Sequence, residues 1–409
     1  MRIGFLNLLY SKPSERAGVG AHIVTLAREL ARQGHDVTAV TSGTGLPWIE
    51  DGVHVVPLGP VDRYVTVDQV ASPAFVWRRL AYMHRAAEYI RTAGFDVVEA
   101  ADGGLEPLLL LRQRPCPVVM KLHGSFELIH GRSRGLVSVM RGLERHVLQR
   151  ADALYASSTR YARMVARDYR VPRDRIRIIP CGIDLREIDA PSIPGPSARE
   201  AALSGEHTVL LSVGNAAPRK GAPLFAEVAR QWRDPGVRFV LVCSDAAWLE
   251  RTSLPANLHV VGLLSKAEFF GLMASADVVV FPSKFESFSI ATHEAMLLGR
   301  SVVVSQQIPL EGPARAYPRL VTLDRLDAAS LGHAIRQALD GEGGGGAALS
   351  PEQLAPLRRA YGIDAVAERT LAFYQEAIDG YRRSTAAARV RGGLGADPGA
   401  ELESRAQRL

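Results

Sequence analysis

The chain has 409 residues, 47% hydrophobic and 22% charged, which excludes a single small module and a chain disordered throughout, and favours two or three domains. Its 49 Lys and Arg against 43 Asp and Glu leave a formal +6. That balance suits an anionic surface or a phosphorylated substrate, but no zinc-finger spacing, RNP signature or basic zipper points to nucleic acid.

The first ten residues read as a strand rather than a signal segment, because the apolar run is brief and no small-residue cleavage site follows. A buried strand is expected over 2–8, and a helix over 20–33 with Ile23, Leu26, Ala27 and Leu30 on one face. Gly34 closes that helix and a second strand follows at 35–41, making a βαβ unit. The same grammar continues with strands at 53–58, 96–100, 117–122, 153–157 and 176–179 and helices near 76–91 and 136–150. Strands alternating with helices imply a parallel sheet covered on both faces. Between 184 and 206 the pattern lapses into Pro, Ser, Gly and Ala, a linker composition.

A second round begins with strand 208–213, helix 224–232, and strands 238–243 and 258–263. Ser265-Lys-Ala-Glu268 is a capping box opening a helix to 275. Strand 277–281, a helix ending at Gly299 and strand 301–306 follow. Five glycines within 341–346 mark a surface loop, and 364–381 carries Val366, Leu371, Tyr374 and Ile378 at helical spacing. The chain thus divides into an α/β domain at 1–184, a linker at 185–206, a second α/β domain at 207–363, a helix at 364–383 and a disordered tail at 384–409. Two Rossmann-like halves would face each other across a cleft. No stretch nears the roughly 18 apolar residues of a spanning helix. Cys116, Cys181 and Cys243 stand too far apart for a disulfide framework or a zinc site, so a cytoplasmic location is expected.

The most informative segment is Phe281-Pro-Ser-Lys-Phe-Glu-Ser-Phe-Ser-Ile-Ala-Thr-His-Glu-Ala-Met-Leu-Leu-Gly299. It runs from a strand into a helix capped at Ser287 or Ser289, with Glu286 just ahead of the helix and Glu294 about five residues inside. The orphan amides and dipole of such a terminus hold an anion. A diphosphate there would have a sugar on one side and a ribose on the other, each offering hydroxyls to a carboxylate. From spacing alone, Glu286 is equally a loop charge and Glu294 a solvated helix residue.

Glu286 and Glu294 resemble the E-x7-E signature of the retaining glycosyltransferases of family 4, which have the two-domain GT-B fold, and the resemblance covers nearly the whole chain. It implies an α/β, GT-B protein: two Rossmann-like domains with parallel sheets facing a central cleft, the first binding acceptor and the second binding nucleotide-sugar. The resemblance assigns Glu286 to the transferred sugar, Glu294 to the ribose, and the backbone of Ser287, Phe288, Ser289, Ile290 and Ala291 to the sugar hydroxyls and diphosphate. Val213-Gly-Asn-Ala-Ala-Pro-Arg-Lys-Gly221 is similar to the family's glycine, arginine and lysine-glycine pattern. It makes Lys220 the phosphate clamp beside Gly214. Asn215 stands where the family has Arg, so that either Arg219 supplies the second cation or one fewer is used.

Arg16-Ala-Gly-Val-Gly20 resembles the family's glycine loop, with Gly18 and Gly20 near the donor, and Lys121-Leu-His-Gly124 resembles its histidine-glycine element, with His123 hydrogen bonding the sugar. Arg16, Asp102 and Lys121 are acceptor-side candidates, Asp102 also as a general base. Ile179-Pro-Cys-Gly-Ile-Asp184 is similar to the family's Ile-Pro-Asn-Gly-Val-Asp, and Cys181 is read as a structural thiol. The final helix resembles the family's segment that crosses back to the N-terminal domain.

The implied activity is a metal-independent, retaining transfer from a nucleoside diphosphate sugar of the UDP or GDP type to a small-molecule or lipid-linked acceptor, with no cofactor beyond that co-substrate. The alternatives are a nucleotide-sugar epimerase on the same fold and a non-catalytic sugar-nucleotide binding protein. Arg141, Arg145 and Arg150 beside an apolar stripe leave the helix at 136–150 either at a membrane surface or facing the core.

Overall fold

The structure is a computed structural model describing residues 1–8, 10, 19–61, 72–124, 136–190, 207–212, 218–243, 254–262, 264–341 and 349–393. In chain order the elements are β1 (Arg2–Leu6), α1 (Val19–Arg32), β2 (Asp36–Thr41), β3 (Trp48–Glu50), β4 (Val53–Pro57), α2 (Pro73–Ala93), β5 (Val97–Ala101), α3 (Leu110–Gln113), β6 (Val118–Leu122), α4 (Leu136–Arg150), β7 (Ala153–Ala156), α5 (Thr159–Tyr169), β8 (Ile176–Ile178) and α6 (Leu185–Asp189). There follow β9 (His207–Ser212), α7 (Ala222–Gln231), β10 (Val237–Val242), β11 (Leu258–Val261), α8 (Lys266–Ser275), β12 (Val278–Phe281), α9 (Ile290–Leu297), β13 (Ser301–Ser305), β14 (Leu320–Leu323), α10 (Ala328–Asp340), α11 (Pro351–Tyr361) and α12 (Ile363–Gly393).

The first eight strands form one sheet in the order β3-β4-β2-β1-β5-β6-β7-β8, and the other six form a second in the order β11-β10-β9-β12-β13-β14. Every pairing is parallel except β3 with β4, so the expected all-parallel first sheet has one antiparallel edge. Asp51 and Gly52, both at positive φ, form the two-residue turn of that hairpin. The Asp-Gly pair is a signal that the sequence reading passed over, because a three-residue strand shows no periodicity.

The mostly apolar strands β1, β5, β6, β12 and β13 are buried almost throughout, as parallel strands covered on both faces require. On one side of the first sheet, residues of α2, α4 and α5 join Leu6, Val98 and Met120 in a single core. On the other, Ile23, Leu26 and Leu30 of α1 pack with Ile3, Phe5 and Val119. Ile363, Val366, Tyr374 and Ile378 of α12 belong to that same cluster, so a helix that follows the second sheet completes the core of the first. Tyr374 donates to the buried Glu99 of β5 at 2.6 Å. Where this crossing begins, Ile183 N donates to Tyr361 O and Ile363 N to Ile183 O, each at 2.8 Å. A Cβ on Gly182 would stand 3.1 Å from the Ile363 Cα and 2.4 Å from its Cδ1, so the glycine permits the two backbones to meet.

Two boundaries differ from expectation. The linker at 185–206 opens with a helix, α6, because Asp184 caps it by accepting from Arg186 N and Ile188 is buried in the second core. Residues 191–206 lie outside the described set, as does the glycine run after 341. The tail expected from 384 is helical as far as Gly393, since its Ala- and Arg-rich sequence extends an already nucleated helix at little cost; residues 394–409 lie outside the described set. Helix α5 was not expected at all, although Ser158 caps it and Tyr161, Ala162, Val165 and Tyr169 form its buried stripe.

The buried carboxylate of Glu29 in α1 accepts from Arg32, Gln33 at 2.8 Å and Arg186 of α6 at 2.8 Å. Burial alone would raise its pKa, but these bonds outweigh it and hold the group well below the usual carboxylate range. A depressed native pKa contributes stability above the unfolded value near about 4.3, lost as pH falls through the native one. Glu29→Gln is therefore expected to flatten the acid limb of the stability profile, read as thermal midpoints from about pH 6 to about pH 3. Equal acid slopes in both proteins would remove Glu29 from that limb.

Candidate functional site

In a doubly wound sheet the order reverses beside the first strand, and ligands meet the carboxyl ends there. The reversals fall at β1/β5 and β9/β12. Pairing of β9 with β12 brings together the segments that follow them, which are separated by more than 60 residues in sequence. The 3₁₀ turn Pro218–Lys220 docks on the segment after β12 through a bond from Lys284 N to Arg219 O at 2.8 Å. Gly221 holds φ +86° with the position of a Cβ only 2.5 Å from Pro282 O. This close approach delivers the Lys220 Nζ to Glu286 Oε1 at 2.5 Å. Arg219 donates to Phe285 O at 2.8 Å and stands 3.9 Å from the same carboxylate. Gly214 and Asn215 lie outside the described residues, as do Arg16 and Gly18.

Ser289 is the N-cap of α9, in a left-handed conformation, φ 71°, and its hydroxyl meets Thr292 Oγ1 at 2.6 Å instead of capping a backbone amide. The first-turn amides of Ile290 and Ala291 therefore start without intrahelical acceptors. The Phe288 side chain points into the core, stacked on His293 with ring centroids 4.1 Å apart, so only its backbone is available to a ligand. Ser287 O accepts from Ser158 Oγ, the N-cap of α5, at 2.7 Å.

Glu294 is 6% exposed, and burial raises its carboxyl, opposed by Lys266 at 3.7 Å. Lys266, at the start of α8, also pairs with Glu187 of α6 at 2.6 Å. Burial would lower the Lys266 ammonium, but the two carboxylates prevail and raise it. Sequence reasoning missed Lys266: the capping box beside it announces a helix start, and nothing local announces its reach to Glu294.

On the first sheet, His123 follows β6 and Gly20 lies buried in the first turn of α1. Two of the acceptor-side candidates are corrected. Lys121 is wholly buried, its Nζ donating to Ile179 O at 2.8 Å and lying 4.1 Å from the Tyr155 ring centroid, so it has no free donor face toward the cleft. Asp102 is also buried and already bonded: Oδ1 accepts from His123 N at 2.7 Å and Gly124 N at 2.9 Å, and Oδ2 accepts from the Tyr161 hydroxyl at 2.8 Å. It holds the backbone that carries His123 rather than offering a base. Residue type and topology had placed both at the right end of the sheet, and burial decided their part.

Helix α5 then links the two sides. Its Tyr161 reaches Asp102, its cap Ser158 reaches Ser287, and Thr159 Oγ1 donates to Glu311 beyond β13 at 3.2 Å. Cys181 is buried 3.3 Å from the Ser157 hydroxyl, as a structural thiol would be. Among the described residues no group of three His, Cys, Asp or Glu is disposed to hold a metal, and no helix is long and apolar enough to cross a membrane.

Residues 16–187 match the family model described as Glycosyltransferase Family 4, and residues 207–340 match that described as Glycosyl transferases group 1. The chain is 26% identical to the MMP alpha-(1->4)-mannosyltransferase of Mycolicibacterium hassiacum, over 92% of this chain and 98% of that protein. It is 26% identical to D-inositol 3-phosphate glycosyltransferase 1 of Catenulispora acidiphila, over 90% and 93%. In fold it resembles sucrose-phosphate synthase from Thermosynechococcus elongatus, with TM-score 0.73, 18% identity and coverage of 92% and 99%. It also resembles Anabaena HepE in complex with UDP-glucose, with TM-score 0.66, 16% identity and coverage of 92% and 100%. Both solved structures place the fold among the GT-B proteins.

Proposed function

The chain belongs to the family 4 glycosyltransferases, and we propose that it moves a sugar, with retention, from a nucleoside diphosphate sugar of the UDP or GDP type to a small-molecule or lipid-linked acceptor. The observation that carries this is the convergence of Lys220, Arg219 and Glu286 beside the α9 N-terminus, with Glu294 buried one turn further in. In this reading the diphosphate lies on the α9 first-turn amides, Glu286 accepts from hydroxyls of the sugar and Glu294 from those of the ribose. Burial raises the Glu294 carboxyl and Lys266 opposes that pull, favouring the acceptor-only carboxylate that a ribose would meet. Lys220 exchanges Glu286 for the diphosphate on donor binding.

The bond between the anomeric carbon and the diphosphate oxygen breaks, and the acceptor oxygen bonds to the same face of that carbon. The acceptor proton passes to the leaving phosphate oxygen. Lys220 opposes the charge that develops there, helped by the helix terminus, a task that needs no metal ion. The acceptor lies on the first sheet's side of the cleft. Exposed Val76, Trp77 and Leu80 on α2 and Val139 and Leu143 on α4 favour keeping a lipid-linked acceptor beside a small one. Both helices pack against the 3₁₀ turn Glu106–Leu108.

Calorimetric titration with UDP, GDP, ADP and dTDP, with EDTA present, tests the reading. One nucleotide is expected to bind saturably, and Glu294→Ala to weaken it by about 1–3 kcal/mol. Unchanged affinity in a folded Glu294→Ala protein would withdraw the ribose assignment, and loss of binding in EDTA would withdraw metal independence. An epimerase would instead interconvert the donor without acceptor, and a binding protein would hold it without turnover.

A further inference from the structure

His22 lies in the first turn of α1, 1% exposed, and its ring centroid stands 5.0 Å from that of His123, which is 8% exposed. Both ring nitrogens of His22 and Nε2 of His123 are buried without a hydrogen-bond partner. Leaving a buried polar group unpaired is costly, and native proteins rarely carry three such atoms on adjoining rings. Burial, followed by the charge of nearby Lys121, pushes both imidazoles well below their ordinary pKa, so both rings are neutral.

A neutral imidazole has one donor and one acceptor, the complement of an alcohol that donates one hydrogen bond and accepts others. A phosphate or carboxylate would find no positive ring here. The pair also stands where ligands meet this kind of sheet: His123 follows the carboxyl end of β6, and His22 sits where α1 begins. Asp102 fixes the backbone that carries the His123 ring.

We propose that His22 and His123 together receive a sugar hydroxyl in the cleft, and that His22 is a specificity-determining residue for it. The assignment of His22 rests on the glycosyltransferase reading above. The hydroxyl belongs either to the transferred sugar or to a polyol acceptor, and both present the same chemistry.

The test uses the full chain with His22→Phe, which keeps the ring and removes both orphaned nitrogens, and with His22→Gln, which keeps one donor and one acceptor. The thermal midpoint of His22→Phe is expected to equal or exceed that of the wild type, because unpaired buried atoms are lost. Calorimetry then measures how much tighter UDP-glucose binds than UDP and GDP-mannose than GDP, and separately the binding of glucose, mannose and myo-inositol to the nucleotide-saturated protein. A roughly ten- to hundredfold loss of the sugar increment in His22→Phe, with nucleotide affinity unchanged and partial recovery in His22→Gln, supports the proposal and assigns the hydroxyl to the donor. The same loss confined to the free polyols supports it and assigns the hydroxyl to the acceptor. Sugar and polyol binding intact in a folded His22→Phe protein overturns it, as it would if ordered water alone filled the pair, and so does a wild type with neither increment. A wild type that binds no nucleotide at all overturns the donor reading first, and this inference with it.

Discussion

Lys220→Ala is expected to lower kcat by about 10²–10³-fold, the scale for removing one preorganised group that faces developing charge. The Lys220 Nζ is delivered by a turn held at three points: the Lys284 to Arg219 backbone bond, the Arg219 bond to Phe285 O and the contact of Gly221 with Pro282. It is thus preorganised, and little reorganisation is needed when charge appears on the leaving diphosphate. Glu286 keeps Arg219 at 3.9 Å after the substitution, so it is not left as an isolated buried charge, and the thermal midpoint should move little. KM for the donor should rise less than kcat falls, because the charge Lys220 meets is greatest in the transition state. If steady-state kinetics showed activity within a few-fold of wild type, the clamp would belong to Arg219, and the double variant would locate it.

The second large effect is Gly221→Ala. At φ +86° any L side chain is strained, and its Cβ would meet Pro282 O at 2.5 Å and Pro282 Cγ at 2.7 Å. Both neighbours belong to a proline leading out of a buried strand and have little freedom to give way. Strain of this kind costs on the order of 1–3 kcal/mol. The larger effect is on activity: the turn can relieve the clash only by moving away from Pro282, carrying Lys220 from its place, and a displacement near 1 Å costs about 10²-fold. Gly142→Ala is the control, because Gly142 lies within α4 with nothing within 4 Å of its Cβ position. That change should be neutral or slightly stabilising. A Gly221→Ala protein with wild-type melting and turnover would show that the turn is not held as described.

Several residues of the candidate site share short-range patterns. The E-x7-E spacing, the strand-to-helix switch around it and the Lys-Gly pair are short-range patterns, and the structure sets Glu286, Lys220 and the α9 terminus side by side. Lys121 and Asp102 show the limit. Each lies where strand topology predicts a cleft residue, yet one ammonium is spent on Ile179 O and one carboxylate on His123, Gly124 and Tyr161. Whether a polar group faces solvent or a partner depends on residues from other elements, and spacing along one strand carries no record of them. His22 is the converse case: on the helical wheel it reads as one more residue near the apolar face of α1, and only the arrival of His123 from another strand shows a polar pair.

By itself, the sequence determined what depends on neighbours within a few positions. The alternation of apolar runs with 3.6-residue stripes set two sheets, parallel except at the β3 edge, covered by helices, and Ser265 with Glu268 set the start of α8. Tertiary structure alone decided the strand order that pairs β9 with β12 and the meetings of Lys266 with Glu294 and of Tyr161 with Asp102. Local order follows from backbone geometry repeated every two or 3.6 residues. Contacts between distant segments follow from which packing buries the most apolar surface without stranding a charge, a property of the whole chain rather than of any stretch of it.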